Sequence, residues 1–222
     1  MVQTGNEIFK VLSILATIAP LLPIIILFIR HAVPNTTLNL LRITCLIVFV
    51  QNLAISIPAL TALYLPFISA IFRLAELSLL YYLFVQAALP KRLREILTLL
   101  LVSFVSVVIT VYAFRGANAF PTTVTAIESS ILLALAIIAL LKLISNRGIV
   151  LFREPLFWIA GGVICYFGTF LFIEVITRVR LGLSQNVDEK LMVFWIAGIG
   201  RFVFFAIAAF VAPVKRNDDY YA

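Results

Sequence analysis

The chain has one histidine, two cysteines and few charges, and each shortage removes a class of chemistry. The single histidine, His31, falls between apolar runs. No span therefore holds the imidazole that zinc hydrolysis or Ser-His and Cys-His catalysis requires. Cys45 and Cys165 both fall inside apolar runs, with no metal-ligand spacing around them. They read as buried small hydrophobes rather than as a disulfide framework. No glycine-rich phosphate loop occurs. The sequence therefore predicts no cofactor, no metal site and no enzyme, with a paired-carboxylate site of Glu76 and Glu128 left open although no spacing argues for it. Charged residues make up 12% of the chain, against about 25% in an ordinary soluble domain.

Apolar residues are what is abundant, at 64% of 222 positions. A soluble fold of this size cannot hide that much apolar surface. The expected surroundings are a lipid bilayer. A spanning helix takes about 20 apolar residues, so seven spans take about 140 and leave about 80 for loops and tails. That excludes a DNA-binding module, a disordered tail and a sizeable extramembrane domain. The net charge of +7 would suggest nucleic acid in a soluble chain. Here the position of each charge matters more than the sum, and no nucleic-acid partner is expected.

Seven apolar runs can be traced, at about 8–29, 40–60, 67–89, 96–114, 123–144, 155–177 and 191–211. They predict an all-α, polytopic seven-transmembrane-helix bundle forming one domain over residues 1–222. The first run lacks a basic leader and a small-residue exit, and it holds Pro20 and Pro23. It therefore reads as a retained, kinked helix rather than a signal peptide. Pro90 with Lys91, Arg92 and Arg94 reads as a basic turn, 115–122 reads as a loop, and Pro155 opens the sixth helix. With the N-terminus outside, the inner side holds Arg30, Arg42, Lys91, Arg92, Arg94, Lys142, Arg147, Arg153, Lys215 and Arg216. The outer side holds Lys10, Arg115, Arg178, Arg180 and Lys190. Loop lysine and arginine favour the cytoplasm, so the expected orientation is N-out and C-in, in a bacterial cytoplasmic (inner) membrane.

Five charges remain inside the spans: Arg73, Glu76, Glu128, Glu174 and Arg201. Each costs at least about 2.5–3.5 kcal/mol near a bilayer centre, so such residues face the bundle interior and find partners. At about 1.5 Å per residue, all five fall in the outer half of the membrane, at depths from about 5 Å for Glu174 to about 15 Å for Arg201. Ser69, Arg73 and Glu76 share one helical stripe, as do Thr125, Glu128 and Ser129. Asn52 and Ser56 form a third beside Gln51, and Tyr166, Phe170, Ile173 and Thr177 a fourth beside Glu174. The inner halves of these helices are nearly uniformly apolar. The pattern predicts a polar crevice open to the outside, or a sealed polar core at that depth.

Simple packing pairs remain open: Arg73 with Glu76 along one turn, Arg201 with Glu76 or Glu128, and Glu174 snorkelling to the interface. Three carboxylates against two guanidiniums leave one unmatched. Glu128 fits that position, because its own helix carries no nearby cation. Such a group either holds a proton or awaits a cation, proton or donor-rich ligand. The expected ligand-binding residues are Arg73, Glu76, Glu128, Arg201, Glu174, Tyr166 and Asn52. Small residues, including Gly161, Gly162 and Gly168 on the sixth span and Gly198 and Gly200 on the seventh, mark expected close helix contacts. A retinal Schiff base would need a lysine amine mid-way along the seventh helix, where Arg201 stands instead.

The segments Phe72-Arg73-Leu74-Ala75-Glu76, Thr125-Ala126-Ile127-Glu128-Ser129 and Glu154-Pro155-Leu156-Phe157-Trp158-Ile159, with Gly162 and Tyr166, carry a resemblance. The chain resembles a group of uncharacterised bacterial seven-helix integral membrane proteins. These share a glutamate in helix three, an Ile-Glu-Ser-type glutamate in helix five and a Pro-Leu-Phe-Trp start to helix six. The resemblance implies a seven-helix fold and site positions at Glu76 and Glu128. Relatives in that group that occur near signalling kinases tilt the expectation towards sensing. The leading functional expectation is a sensor or receptor-like module that binds a small polar ligand or proton. It would signal through a separate cytoplasmic or membrane partner. The alternatives are a small proton-coupled or solute transporter and a structural subunit of a membrane assembly.

Overall fold

The computed structural model describes residues 2–30, 35–56, 58–115, 121–145, 150–179 and 187–213. His31, Arg147, Arg180, Lys215 and Arg216 lie outside these residues, as do the side chains of Ser56, Arg115, Thr177, Arg178 and Lys190. The protein is all-α. Its helices are α1 (Val2–Ile18), α2 (Leu21–Ile29), α3 (Thr36–Ser56), α4 (Pro58–Ala88), α5 (Lys91–Arg115), α6 (Pro121–Ser145), α7 (Pro155–Val179) and α8 (Val187–Val211), with a 3₁₀ turn at Leu151–Arg153 before α7. Six helices are long and apolar enough to cross a membrane, and the count is seven if α1 and α2 form one bent span. The chain is thus a multi-pass integral membrane protein by helix length and hydropathy.

The first apolar run is bent by 44° between α1 and α2, with Pro20 at the break. A proline ring cannot donate a hydrogen bond to the carbonyl four residues back, which here belongs to Ala16. The Asn52 side-chain amide of α3 donates to that carbonyl instead, at 3.1 Å. Pro23 sits in the first turn of α2, where a missing N–H costs nothing, and is buried.

Helix bounds differ from the apolar runs where polar turns extend a helix. The third run was expected to begin near residue 67, yet α4 starts at Pro58 and has 31 residues. Hydropathy marks only the length that fits the hydrocarbon, about 30 Å or 20 residues, while a helix continues as long as its hydrogen bonds do. For the same reason Lys91, Arg92 and Arg94 are not a free turn. They lie in the first turn of α5, just after Pro90.

The core runs between α3, α4, α6, α7 and α8, with α2 against α8. Ile159, Ala160, Val163 and Phe167 form the buried stripe of α7. Cys165 follows Val163 by two residues and so points to the opposite side, where it is exposed rather than buried as expected. Cys45 is buried, and both thiols are free. Helix α5 packs chiefly on α4 and leaves most of its length uncovered, including Leu99, Leu100, Val107 and Phe114.

Candidate functional site

Helices α1, α3, α4, α6, α7 and α8 line a partly open cavity of about 550 Å³. It lies in the half of the bundle where α6 and α8 begin and α3 and α7 end. Six of the seven residues singled out in the sequence line it: Asn52, Arg73, Glu76, Glu128, Tyr166 and Arg201. The seventh, Glu174, is half-buried on α7 but sits one turn beyond Phe170, and the cavity's α7 wall ends at Phe170. A helix carries residue 174 about 6 Å past residue 170, which removes its carboxylate from this wall.

Arg201 is only 3% exposed. Its guanidinium donates to the Glu76 carboxylate across α8 and α4 and forms an ion pair with it. The same guanidinium lies over the Tyr166 ring at 4.2 Å and the Phe202 ring at 4.7 Å. The Phe167 and Phe205 rings each stand 5.9 Å away. Aromatic faces carry negative potential, and desolvated cation–π contacts stabilise a cation by about 2 kcal/mol. One carboxylate and an aromatic cage thus compensate a buried charge whose uncompensated desolvation would cost several kcal/mol. The Arg201 Nε is buried with no hydrogen-bond partner among the described residues.

Arg73 does not pair with Glu76 along α4, although their spacing would allow it. Its guanidinium donates to the Thr125 hydroxyl of α6 at 2.7 Å. Among the described residues no ion pair reaches Arg73. Glu128 follows Thr125 by three residues on the same face of α6. It is 6% exposed and lines the cavity. Among the described residues neither a hydrogen bond nor an ion pair reaches its carboxyl group. The neighbouring Ser129 hydroxyl donates to the Thr125 carbonyl of its own helix at 2.8 Å. The charges of the cavity thus divide into a closed pair, Arg201 with Glu76, and two open ones, Arg73 and Glu128.

The remaining wall is aromatic and was not foreseen in full. Phe194 and Trp195 of α8 line it together with Phe170 of α7. Phe170 and Phe194 stand with ring centroids 5.3 Å apart, and Trp195 meets Phe9 of α1 edge-on at 4.5 Å. The signal was present in Phe194-Trp195-Ile196-Ala197-Gly198, which repeats Phe157-Trp158-Ile159-Ala160-Gly161. It reads as interfacial anchors and packing residues until the bundle turns one tryptophan inward. The Trp158 indole instead donates to the Phe152 carbonyl at 3.0 Å, near the start of α7.

Beyond Glu76 and Arg201 the core is largely apolar, with the Tyr81 hydroxyl of α4 buried in it. Leu80, Phe84, Ala136, Ile159, Val163 and Phe205 are each fully buried in the turns that follow. Among the described residues no three His, Cys, Asp or Glu side chains gather in a way that could hold a metal ion. No protein-family model matches the chain, and neither a curated protein nor a solved structure matches it.

Proposed function

We propose that the protein is a receptor-like membrane module that binds a small polar ligand or proton in this cavity and passes its occupancy to a separate partner. The observation that carries the reading is Glu128. A carboxyl group this deeply buried, facing a 550 Å³ cavity and without a hydrogen bond or ion pair among the described residues, is suited to receive a ligand or a proton. Ligand access is from the outside in the N-out orientation that the loop charges favour. The membrane is then the bacterial cytoplasmic one. The resemblance to bacterial seven-helix proteins, some beside signalling kinases, fits the same reading.

Occupancy has a route to the other face. A ligand that engages Glu128 and Arg73 changes the field at Glu76 and Arg201, and Arg201 is held by α7 and α8 rings. Differential contact of that kind shifts the packing of α7 on α8. The largely apolar core beyond the cavity favours a binding pocket over a carrier, because a transport path needs polar groups on both sides of its binding site.

Thermal denaturation of the purified protein with a panel of small polar solutes tests this reading. At least one solute should raise the midpoint of the wild type and leave Glu128→Gln unmoved. Flux of the stabilising solute across proteoliposomes would turn the assignment to a transporter. A Glu76→Gln, Glu128→Gln double variant with unchanged midpoint, and no responding solute, would leave only a structural subunit.

A further inference from the structure

We infer that the ligand is a zwitterion with a primary ammonium group and a nearby acid group, its ammonium on Glu128, its acid group on Arg73 and its apolar part against Phe170, Phe194 and Trp195. The inference rests on the receptor reading above and gives that site its chemical class. It follows from which charges are already satisfied. Arg201 already faces Glu76 and four rings, with only its buried Nε left over among the described residues, so it is the less available of the two guanidiniums for an anion. Glu76 is neutralised by the same contact. What remains, among the described residues, is one guanidinium hydrogen-bonded to the neutral Thr125 hydroxyl with no ion pair, and one carboxylate with neither contact.

Their spacing sets the shape. Arg73 is tethered to Thr125, and Glu128 stands three residues further along α6, about 4.5 Å of helix rise. The two charges therefore share one wall without contacting each other. An ammonium and an acid group on the same or adjacent carbons, each with its own hydrogen bond, bridge such a gap. A simple amine would leave Arg73 unmatched, and a simple acid would leave Glu128 unmatched. A charge left unmatched where it is buried discriminates most strongly between related ligands, and that is the case of Glu128, whereas the exposed Arg73 selects the acid group less strictly. A zwitterion as small as glycine would leave much of a 550 Å³ space empty. The aromatic wall from α7 and α8 accepts an apolar substituent and can also face an ammonium group.

Two sources share this chemistry: free apolar amino acids and the headgroup of an ethanolamine phospholipid. The chain has two tryptophans, Trp158 and Trp195. Trp158→Phe leaves Trp195 as the only indole, reporting from the cavity wall. This variant, reconstituted in phosphatidylcholine nanodiscs, is titrated with L-phenylalanine and L-leucine. The matched single-charge probes are 2-phenylethylamine and 3-phenylpropionate. A second arm replaces part of the phosphatidylcholine with phosphatidylethanolamine.

A saturable change in Trp195 emission is expected with the free zwitterions or with the ethanolamine lipid, and the responding arm names the source. Glu128→Gln should weaken that binding at least tenfold. Arg73→Gln should weaken the zwitterion while leaving 2-phenylethylamine unchanged. The inference is overturned if 3-phenylpropionate or 2-phenylethylamine binds as tightly as the zwitterions. It is equally overturned if Glu128→Gln binds them normally, or if neither arm responds. If the zwitterions fail while another solute still stabilises the protein through Glu128, the class is wrong and the receptor reading survives. If no solute of any class acts, both fall.

Discussion

Arg201 shows how one side chain is made tolerable in a place hostile to charge. Its neutralisation depends on a carboxylate 125 positions away and on rings from two helices. Removing only one member of such a pair strands the other. Arg201→Ala should therefore lower stability by about 3–5 kcal/mol, read as a reduced thermal midpoint in nanodiscs. Arg201→Leu combined with Glu76→Leu should regain most of that loss, because two apolar side chains need no solvation there. Equal midpoints for wild type and Arg201→Ala would show that the pair is not buried as described. The sequence alone could not choose among Arg73, Glu76, Glu128 and Arg201 as partners, since helical spacing allowed Arg73 to reach Glu76. The fold decided by presenting the Thr125 hydroxyl to Arg73 and Arg201 to Glu76.

Helices bring out two further expectations. Glycine occurs at Gly161, Gly162 and Gly168 of α7, and sequence gives no means to rank them. A methyl group added at Gly162 would meet Phe204 Cβ at 2.9 Å, the Arg201 carbonyl at 3.1 Å and Phe205 Cε1 at 3.2 Å. One added at Gly168 would meet nothing within 4 Å. Gly162→Ala should cost about 1–3 kcal/mol through overpacking against α8. Gly168→Ala should be neutral or stabilising by up to about 1 kcal/mol, the helix preference of alanine over glycine. Paired thermal melts check both, and a reversed order would contradict the α7–α8 contact.

The bend between α1 and α2 carries a second expectation. Asn52→Leu leaves the Ala16 carbonyl without its donor and should cost about 1–3 kcal/mol. In a Pro20→Ala background the helix regains its own donor, so the same substitution should cost much less. A double-mutant cycle measures the coupling. Strict additivity would mean that Asn52 does not serve the kink. The two prolines made the kink legible in the sequence. Its repair by Asn52 was not, because the repair joins two helices. Asn52 was expected only as a ligand group, and the structure gives its amide this other task as well.

Across the whole molecule, the apolar content and the number of runs already demand a multi-pass membrane fold. Six spans would put the two ends of the chain on one side, and seven would put them on opposite sides. If α1 and α2 cross as one bent span, side-specific labelling of single cysteines should find position 3 accessible from outside and position 218 only from inside. The labelling background needs Cys165→Ser, because that thiol is exposed on α7. Labelling of both positions from the same side would leave α1–α2 as a re-entrant segment and invert the proposed access to the cavity.

The solvent, the all-helical class, the approximate spans and the positions of the costly charges all followed from composition and order along the chain. They depend on local quantities: residue hydropathy, proline geometry and the rise of a helix. Glu128 as the unmatched carboxylate is already expected from the charge count and the lack of a nearby cation on its own helix, whereas which charges meet, which tryptophan turns inward and which glycine is crowded followed only from packing. Those outcomes depend on the rotation and tilt of each helix against its neighbours. With most faces of these helices apolar, periodicity points weakly in any direction, and the assembled bundle settles the rotation.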